Sequence, residues 1–346
     1  MAKNKNLTQA KKAKNDEFYT LISDVEKELK NYKSQFEGKV VYCNCDDPEE
    51  SNFWKFFELN FEEYKLKKLI STHYDAEKPT YKLELFADVD GDGKITKGDI
   101  IKTPLKQNGD FRSEESINLL KESDIVVTNP PFSLFREYVA QLMKYKKKFL
   151  IIGNQNAITY KEIFPLIRDN KIWLGYNYVK EFKQPNGLLK KFGNIVWFTN
   201  IPHNKRNEKL ILIAKYDSKK YQKYDNYDAI EVGKVADIPK DYNGAIGVPI
   251  SFLDKYNPEQ FEIVALGSSR ENFTPTKDYI NPKKYMTNGN ICNGNSINYV
   301  LAINTKIKPT KTYYISDNSD YLIAPYARIL IKKKNENNTN KNKLAQ

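Results

Sequence analysis

The chain has 346 residues, 56 basic and 44 acidic, for a formal net charge of +12. That length exceeds one ordinary core and points to two domains, and the basic excess suits a polyanion such as nucleic acid. Three cysteines exclude a disulfide framework, two histidines make a zinc site a poor reading, and no run of about 18 apolar residues marks a membrane span.

Residues 1–15 are rich in Lys and Asn and read as a flexible basic N-terminus. They lack the apolar core of a secretory leader, so a cytoplasmic location is expected. From Phe18, the positions Leu21, Ile22, Val25, Leu29 and Tyr32 follow at helical spacing, closed by Gly38. "KVVYC" (39–43) reads as a buried strand, Phe53, Phe56, Phe57, Phe61 and Tyr64 as a second amphipathic helix, and "KKLIST" (67–72) as the next strand. Helix and strand in alternation imply parallel pairing with both sheet faces covered.

Residues 75–109 interrupt this order. Polar and apolar residues alternate on both sides of two Asp-Gly pairs, which is the pattern of a hairpin insertion. Asp88, Asp90, Asp92, Gly93, Ile95 and Asp99 also have EF-hand spacing. The last position is Asp rather than Glu, however, and an EF-hand needs helices where these flanks alternate with period two. The reading is a hairpin that binds calcium weakly or not at all, and no metal site is expected.

Alternation then resumes. Ser113 is placed to cap a helix with Glu114 and Glu115 in its first turn. "DIVVT" (124–128) is a strand, and Leu134, Phe135, Tyr138, Val139, Leu142 and Met143 form a helical stripe. "KKFLIIG" is another strand; Thr159 with Glu162 suggests a capping box for a helix shortened by Pro165; "KIWLGY" and "NIVWFT" are two more strands. The expected architecture over 16–205 is a doubly wound, mostly parallel α/β sheet. Beyond Pro202, residues 206–330 lose the alternation and read as a second, less regular domain, and 331–346 as a disordered basic tail.

The chemistry concentrates where "DIVVT" runs into Asn129, Pro130, Pro131 and Phe132. Ligands of open α/β sheets sit beyond the carboxyl ends of strands. There, Asn129 offers a side-chain carbonyl, Pro130 a backbone carbonyl that cannot swing away, and Phe132 a flat ring. Two fixed acceptors and a stacking face suit the exocyclic amine of adenine, a poor nucleophile whose lone pair is delocalised into its ring.

The tetrapeptide resembles the catalytic motif of amino-methyltransferases. With "DEFYT", "VVYCNCDDPEESNF", "GDFRS", "VVTNPPFSLFREY", "FLIIGNQNAITYKEIFPLI", "NIVWFTN" and "GVPISFLDKYNPEQFEI" in this order, the chain resembles adenine-specific DNA methyltransferases of the EcoRI type. The resemblance covers roughly 16–265 and implies the class I S-adenosylmethionine-dependent methyltransferase fold and a target-recognition domain. It implies methyl transfer from S-adenosylmethionine to the N6 amine of a flipped-out adenine in double-stranded DNA, protecting the site from a restriction endonuclease. A monomer is implied as well.

By position, the resemblance implies catalysis at Asn129, Pro130, Pro131 and Phe132, and cofactor binding at Phe18, Tyr19, Thr20, Asn44, Asp46, Asp47, Asp75, Asp110 and Phe111. Target-base stacking falls to Phe132 and Phe198. The turn after the first strand, "CNCDDP", lacks the usual glycines. RNA or protein-glutamine methylation on the same fold, and a non-catalytic DNA-binding relative, remain open on the sequence.

Overall fold

The computed structural model describes residues 19–45, 47–75, 80–184, 187–268 and 273–334. The expected flexible N-terminus and all but the first four residues of the expected tail lie outside these ranges. The chain divides into two compact units, one of residues 1–157 and 171–203, the other of 158–170 and 204–346.

The first unit is built on a nine-stranded sheet. Its strands are β1 (Tyr19–Thr20), β2 (Val40–Cys43), β3 (Lys68–Thr72), β4 (Tyr81–Leu85), β5 (Ile101–Pro104), β6 (Ile125–Thr128), β7 (Lys148–Asn154), β8 (Trp173–Lys183) and β9 (Leu189–Thr199), in spatial order β1-β8-β9-β7-β6-β2-β3-β4-β5. The centre, β7-β6-β2-β3, is parallel. Pairing is antiparallel on both flanks, so β2, β3, β5, β6, β7 and β8 run one way and β1, β4 and β9 the other.

Helices cover both faces. Helix α1 (Ile22–Leu29) and helix α2 (Asn52–Leu59) bury Val25, Leu29, Phe53, Phe56 and Phe57 in one cluster with Val41, Cys43, Val127, Leu150 and Ile152 of the central strands. Alternate strand residues point to the opposite face. There lie α3 (Glu114–Glu122) and α4 (Phe135–Lys144), packed on β2 and β7. Ser113 caps α3 through its hydroxyl, which accepts the Ser116 amide hydrogen.

Three expectations need correction, and the place of the hairpin is new. Tyr19 and Thr20 are not the start of a helix but a two-residue strand against Lys183 and Phe182 of β8. β4 and β5 form the antiparallel hairpin of the 75–109 segment, and β4 also pairs with β3, so the hairpin extends the sheet, with Glu84 opposite Ile70. Thr159 ends a 3-10 turn, and the short helix α5 (Phe164–Arg168) begins after it with Pro165 in its first turn, where a missing N–H costs nothing. The first residues of the expected tail, 331–333, close a strand, β18 (Arg328–Lys333).

The second unit is regular but made of short strands. One sheet has the order β10 (Ala229–Glu231), β11 (Ala245–Pro249), β18, β12 (Phe261–Leu266). The other has the order β14 (Ile291–Asn293), β13 (Lys283–Tyr285), β16 (Tyr313–Ser316), β17 (Ser319–Ile323), β15 (Ile303–Thr305). A near-buried pair, Arg328 and Glu231 at 2.7 Å, ties β18 to β10. Buried Asn226 accepts from the Ala302 amide and donates to the Val300 carbonyl, satisfying an otherwise costly polar group. Among the described residues no helix is long and apolar enough to cross a membrane.

Candidate active site

The Asn-Pro-Pro-Phe segment is a turn stapled at both ends. Before it, the Thr128 hydroxyl donates to the backbone carbonyl of Asn44, joining the end of β6 to the end of neighbouring β2. After it, the Leu134 amide donates to the Pro131 carbonyl at 2.9 Å and the chain enters α4 through a 3-10 turn, Phe132–Leu134. Asn129 is half-buried, with its Oδ1 atom buried. Phe132 is half-buried and packs on the main core cluster.

The glycine-poor turn after β2 has a specific solution. Cys45 takes φ +78°, the left-handed region that glycine normally fills. Asn44 beside it is buried, its Oδ1 accepting from the Tyr138 hydroxyl of α4. Burial pushes the Tyr138 hydroxyl well above its ordinary pKa, so it remains a donor. Asn44 thereby fastens the end of β2 to β6 and α4. Tyr138 in turn packs edge-on against Phe111, ring centroids 5.0 Å apart.

Next to this turn, the ends of β2 and β3 bring acidic groups together. His73 Nδ1 lies 3.7 Å from Asp47 Oδ2, and its Nε2 lies 3.9 Å from Asp75 Oδ2. The Tyr81 hydroxyl of β4 donates to Asp47 Oδ1 at 3.0 Å, so the hairpin helps to hold this carboxylate. Gly109 fits against the same strand end: at φ +73°, a Cβ there would stand 1.9 Å from the His73 carbonyl oxygen. The loop is thus pressed onto β3, carrying Asp110 and Phe111 with it. Arg112 chelates Asp110 through Nε and Nη2 and holds its carboxyl below the usual range.

Thr20 joins from the sheet edge. Asn52, at the start of α2, donates to its backbone carbonyl at 2.6 Å, and the Thr20 hydroxyl is buried with no hydrogen-bond partner among the described residues. Tyr19 is half-buried on the same strand. Phe18 and Asp46 lie outside the described residues. Phe198 is in the wrong place for base stacking: it is fully buried in β9 against Phe135, 5.0 Å between centroids, and Gly153 leaves room for both rings. β9 lies inside the sheet, between β8 and β7, and that ring belongs to its core. The residues missed in the sequence are His73, Tyr81 and Tyr138; only His73, two residues before Asp75 at a strand end, carried a local signal.

The open α/β sheet thus carries an Asn-Pro-Pro-Phe turn at the end of β6, with carboxylates gathered at the ends of β2 and β3. Residues 6–334 match the family model of the adenine-specific methyltransferase EcoRI. The chain is 49% identical to the type II methyltransferase M.EcoRI of Escherichia coli, over 76% of this chain and 89% of that protein. It is 43% identical to M.MgeORF184P of Mycoplasma genitalium and 41% identical to M.MpnI of Mycoplasma pneumoniae, each over 74% of this chain and 84% of the relative. The chain belongs to the EcoRI family of adenine-specific methyltransferases and is a type II DNA methyltransferase.

Proposed function

We propose that the protein uses S-adenosylmethionine to methylate the N6 amine of an adenine flipped out of a specific double-stranded DNA sequence, and that this mark shields the site from an endonuclease. The observation that carries the reading is the convergence of Asn129 to Phe132, Asp47, Asp75, Asp110 and Phe111 at the carboxyl ends of adjacent strands β6, β2 and β3.

The donor fits the residues present. When bound, S-adenosylmethionine supplies an electrophilic methyl group. Asp47 and Asp75, flanking His73, are acceptors for its ammonium and ribose hydroxyls; Asp110 and Phe111 suit its adenine; and the buried, unsatisfied Thr20 hydroxyl awaits a polar partner. Asn129 Oδ1 and the Pro130 carbonyl accept the two N–H groups of the target amine and favour its pyramidal, nucleophilic form. Asn129 is neutral, so it orients the amine and leaves the proton to solvent. The target base must leave the duplex because pairing occupies its amine. Phe132 is the remaining ring for stacking.

Within this reading the first unit performs the transfer and the second selects the sequence. The test is incubation of the purified chain with S-adenosylmethionine and genomic DNA from a methylation-free host, followed by nucleoside mass spectrometry. N6-methyladenine in DNA is the expected product. No methylated nucleoside, or a methyl group found only on cytosine, would contradict the proposal.

A further inference from the structure

We infer that the β13–β14 hairpin, residues 283–293, enters the major groove of the target duplex and reads base edges there; this rests on the proposed function above. The hairpin forms the outer margin of the five-stranded sheet, and β14 is an edge strand. Every residue from Met286 to Asn293 is exposed, including Ile291 at 59%. Natural edge strands are protected by lysine, proline or a bulge. β14, Ile-Cys-Asn, has none of these and leaves an apolar residue in water.

The surrounding charge says what covers it. From Tyr279 to Ser316 there are five lysines, seven asparagines and no acidic residue. Lys283, Lys306, Lys308 and Lys311 are exposed. That surface complements a polyanion, and a two-stranded ribbon is one of the shapes a major groove admits. The tip is also tied by its own hydrogen bonds. Gly289 takes φ +83°, its amide donates to the Met286 carbonyl at 3.0 Å, and the Asn288 side chain accepts from the Asn290 amide at 3.1 Å. At the root, Tyr285 stacks on Tyr313 with 4° between ring planes. A ribbon fixed in this way loses little freedom on binding. Asn290 is suited to the paired donor and acceptor of adenine, Met286 and Ile291 to a thymine methyl, and Lys283 to phosphate.

The test uses the full chain and two duplexes, one carrying the sequence found methylated in DNA of the expression host, the other its scramble. Cys292 sits on β14 and its thiol is exposed. In the wild-type protein, saturating specific duplex should slow its alkylation by N-ethylmaleimide, followed by peptide mass spectrometry. Asn290→Ala should cut the specific-to-scrambled affinity ratio roughly tenfold or more, with donor affinity unchanged. Lys283→Ala should weaken both duplexes alike and lower the salt slope by about one. If the wild type discriminates the duplexes while Cys292 stays equally reactive and Asn290→Ala keeps the ratio, the hairpin is not the reader. Protection of Cys292 without DNA, rising with protein concentration, would assign the edge to a second copy and overturn the inference. A wild type that does not discriminate contradicts the proposed function itself.

Discussion

Holding a non-glycine residue in the left-handed region costs about 1–2 kcal/mol, so the turn at Cys45 persists because its neighbours fix it. Asn44 is gripped by Thr128 on its carbonyl and by Tyr138 on its side chain. Cys45→Gly should therefore keep donor affinity and leave the melting temperature equal or higher. Cys45→Val, β-branched, should weaken donor binding in calorimetry by roughly tenfold or more. On the proposed mechanism, Asn129→Ala removes an acceptor that matters most as the amine becomes tetrahedral. Single-turnover rates should fall about 100-fold or more, with donor affinity unchanged; near-normal turnover would remove Asn129 from the mechanism. The Asn129–Phe132 turn was legible in the sequence because two prolines after an apolar strand have few other uses. The Cys45 turn was not, since a positive φ at cysteine leaves no mark in composition. Nor could two phenylalanines be told apart: Phe132 lies on the turn and Phe198 in the core, a difference set by tertiary packing.

At the scale of elements, the edge of the sheet is fastened by charge. Lys68 of β3 sits 2.7 Å from both Glu84 and Glu122, and Lys82 lies 2.6 Å from Glu84. Burial alone would raise the Glu84 carboxyl, but hydrogen bonds from Lys68 and Lys82 outweigh it and hold the group below its ordinary 4.5. A carboxyl depressed by folding stabilises the fold above its unfolded pKa, and that contribution is lost as pH falls through the lower folded value. Glu84→Gln should thus cost about 1–2 kcal/mol near neutral pH in denaturant titrations. The difference from wild type should shrink below pH 4.5. An equal difference at all pH values would deny the pair its electrostatic role. The central strands were readable because β2, β6 and β7 are short apolar runs between helical stripes. The place of β4 was not, because alternation within a hairpin shows its own pairing and says nothing about which sheet edge it joins. Strands of three to six residues in the second unit were missed for a related reason: β10, β13, β14 and β15 have three each, too few to establish a period.

Across the whole molecule, the net charge of +12 and the division into two units suggest separable tasks. Phosphate contacts release counterions, so DNA affinity should fall steeply between about 50 and 200 mM salt. Donor affinity, set by a few groups at strand ends, should change far less. Parallel calorimetry at both salt levels checks this, and equal sensitivity would place the donor and the duplex on one electrostatic surface. On the proposed function, the chain places a methyl group on adenine N6 at one DNA sequence through Asn129. This is tested most directly by single-molecule sequencing of DNA from a methylation-free host expressing either the wild type or Asn129→Ala. N6-methyladenine should appear at one short sequence throughout the genome with the wild type, and nowhere with the variant. Unmodified DNA despite folded wild-type protein, or the same methylation with Asn129→Ala, would contradict the proposed function.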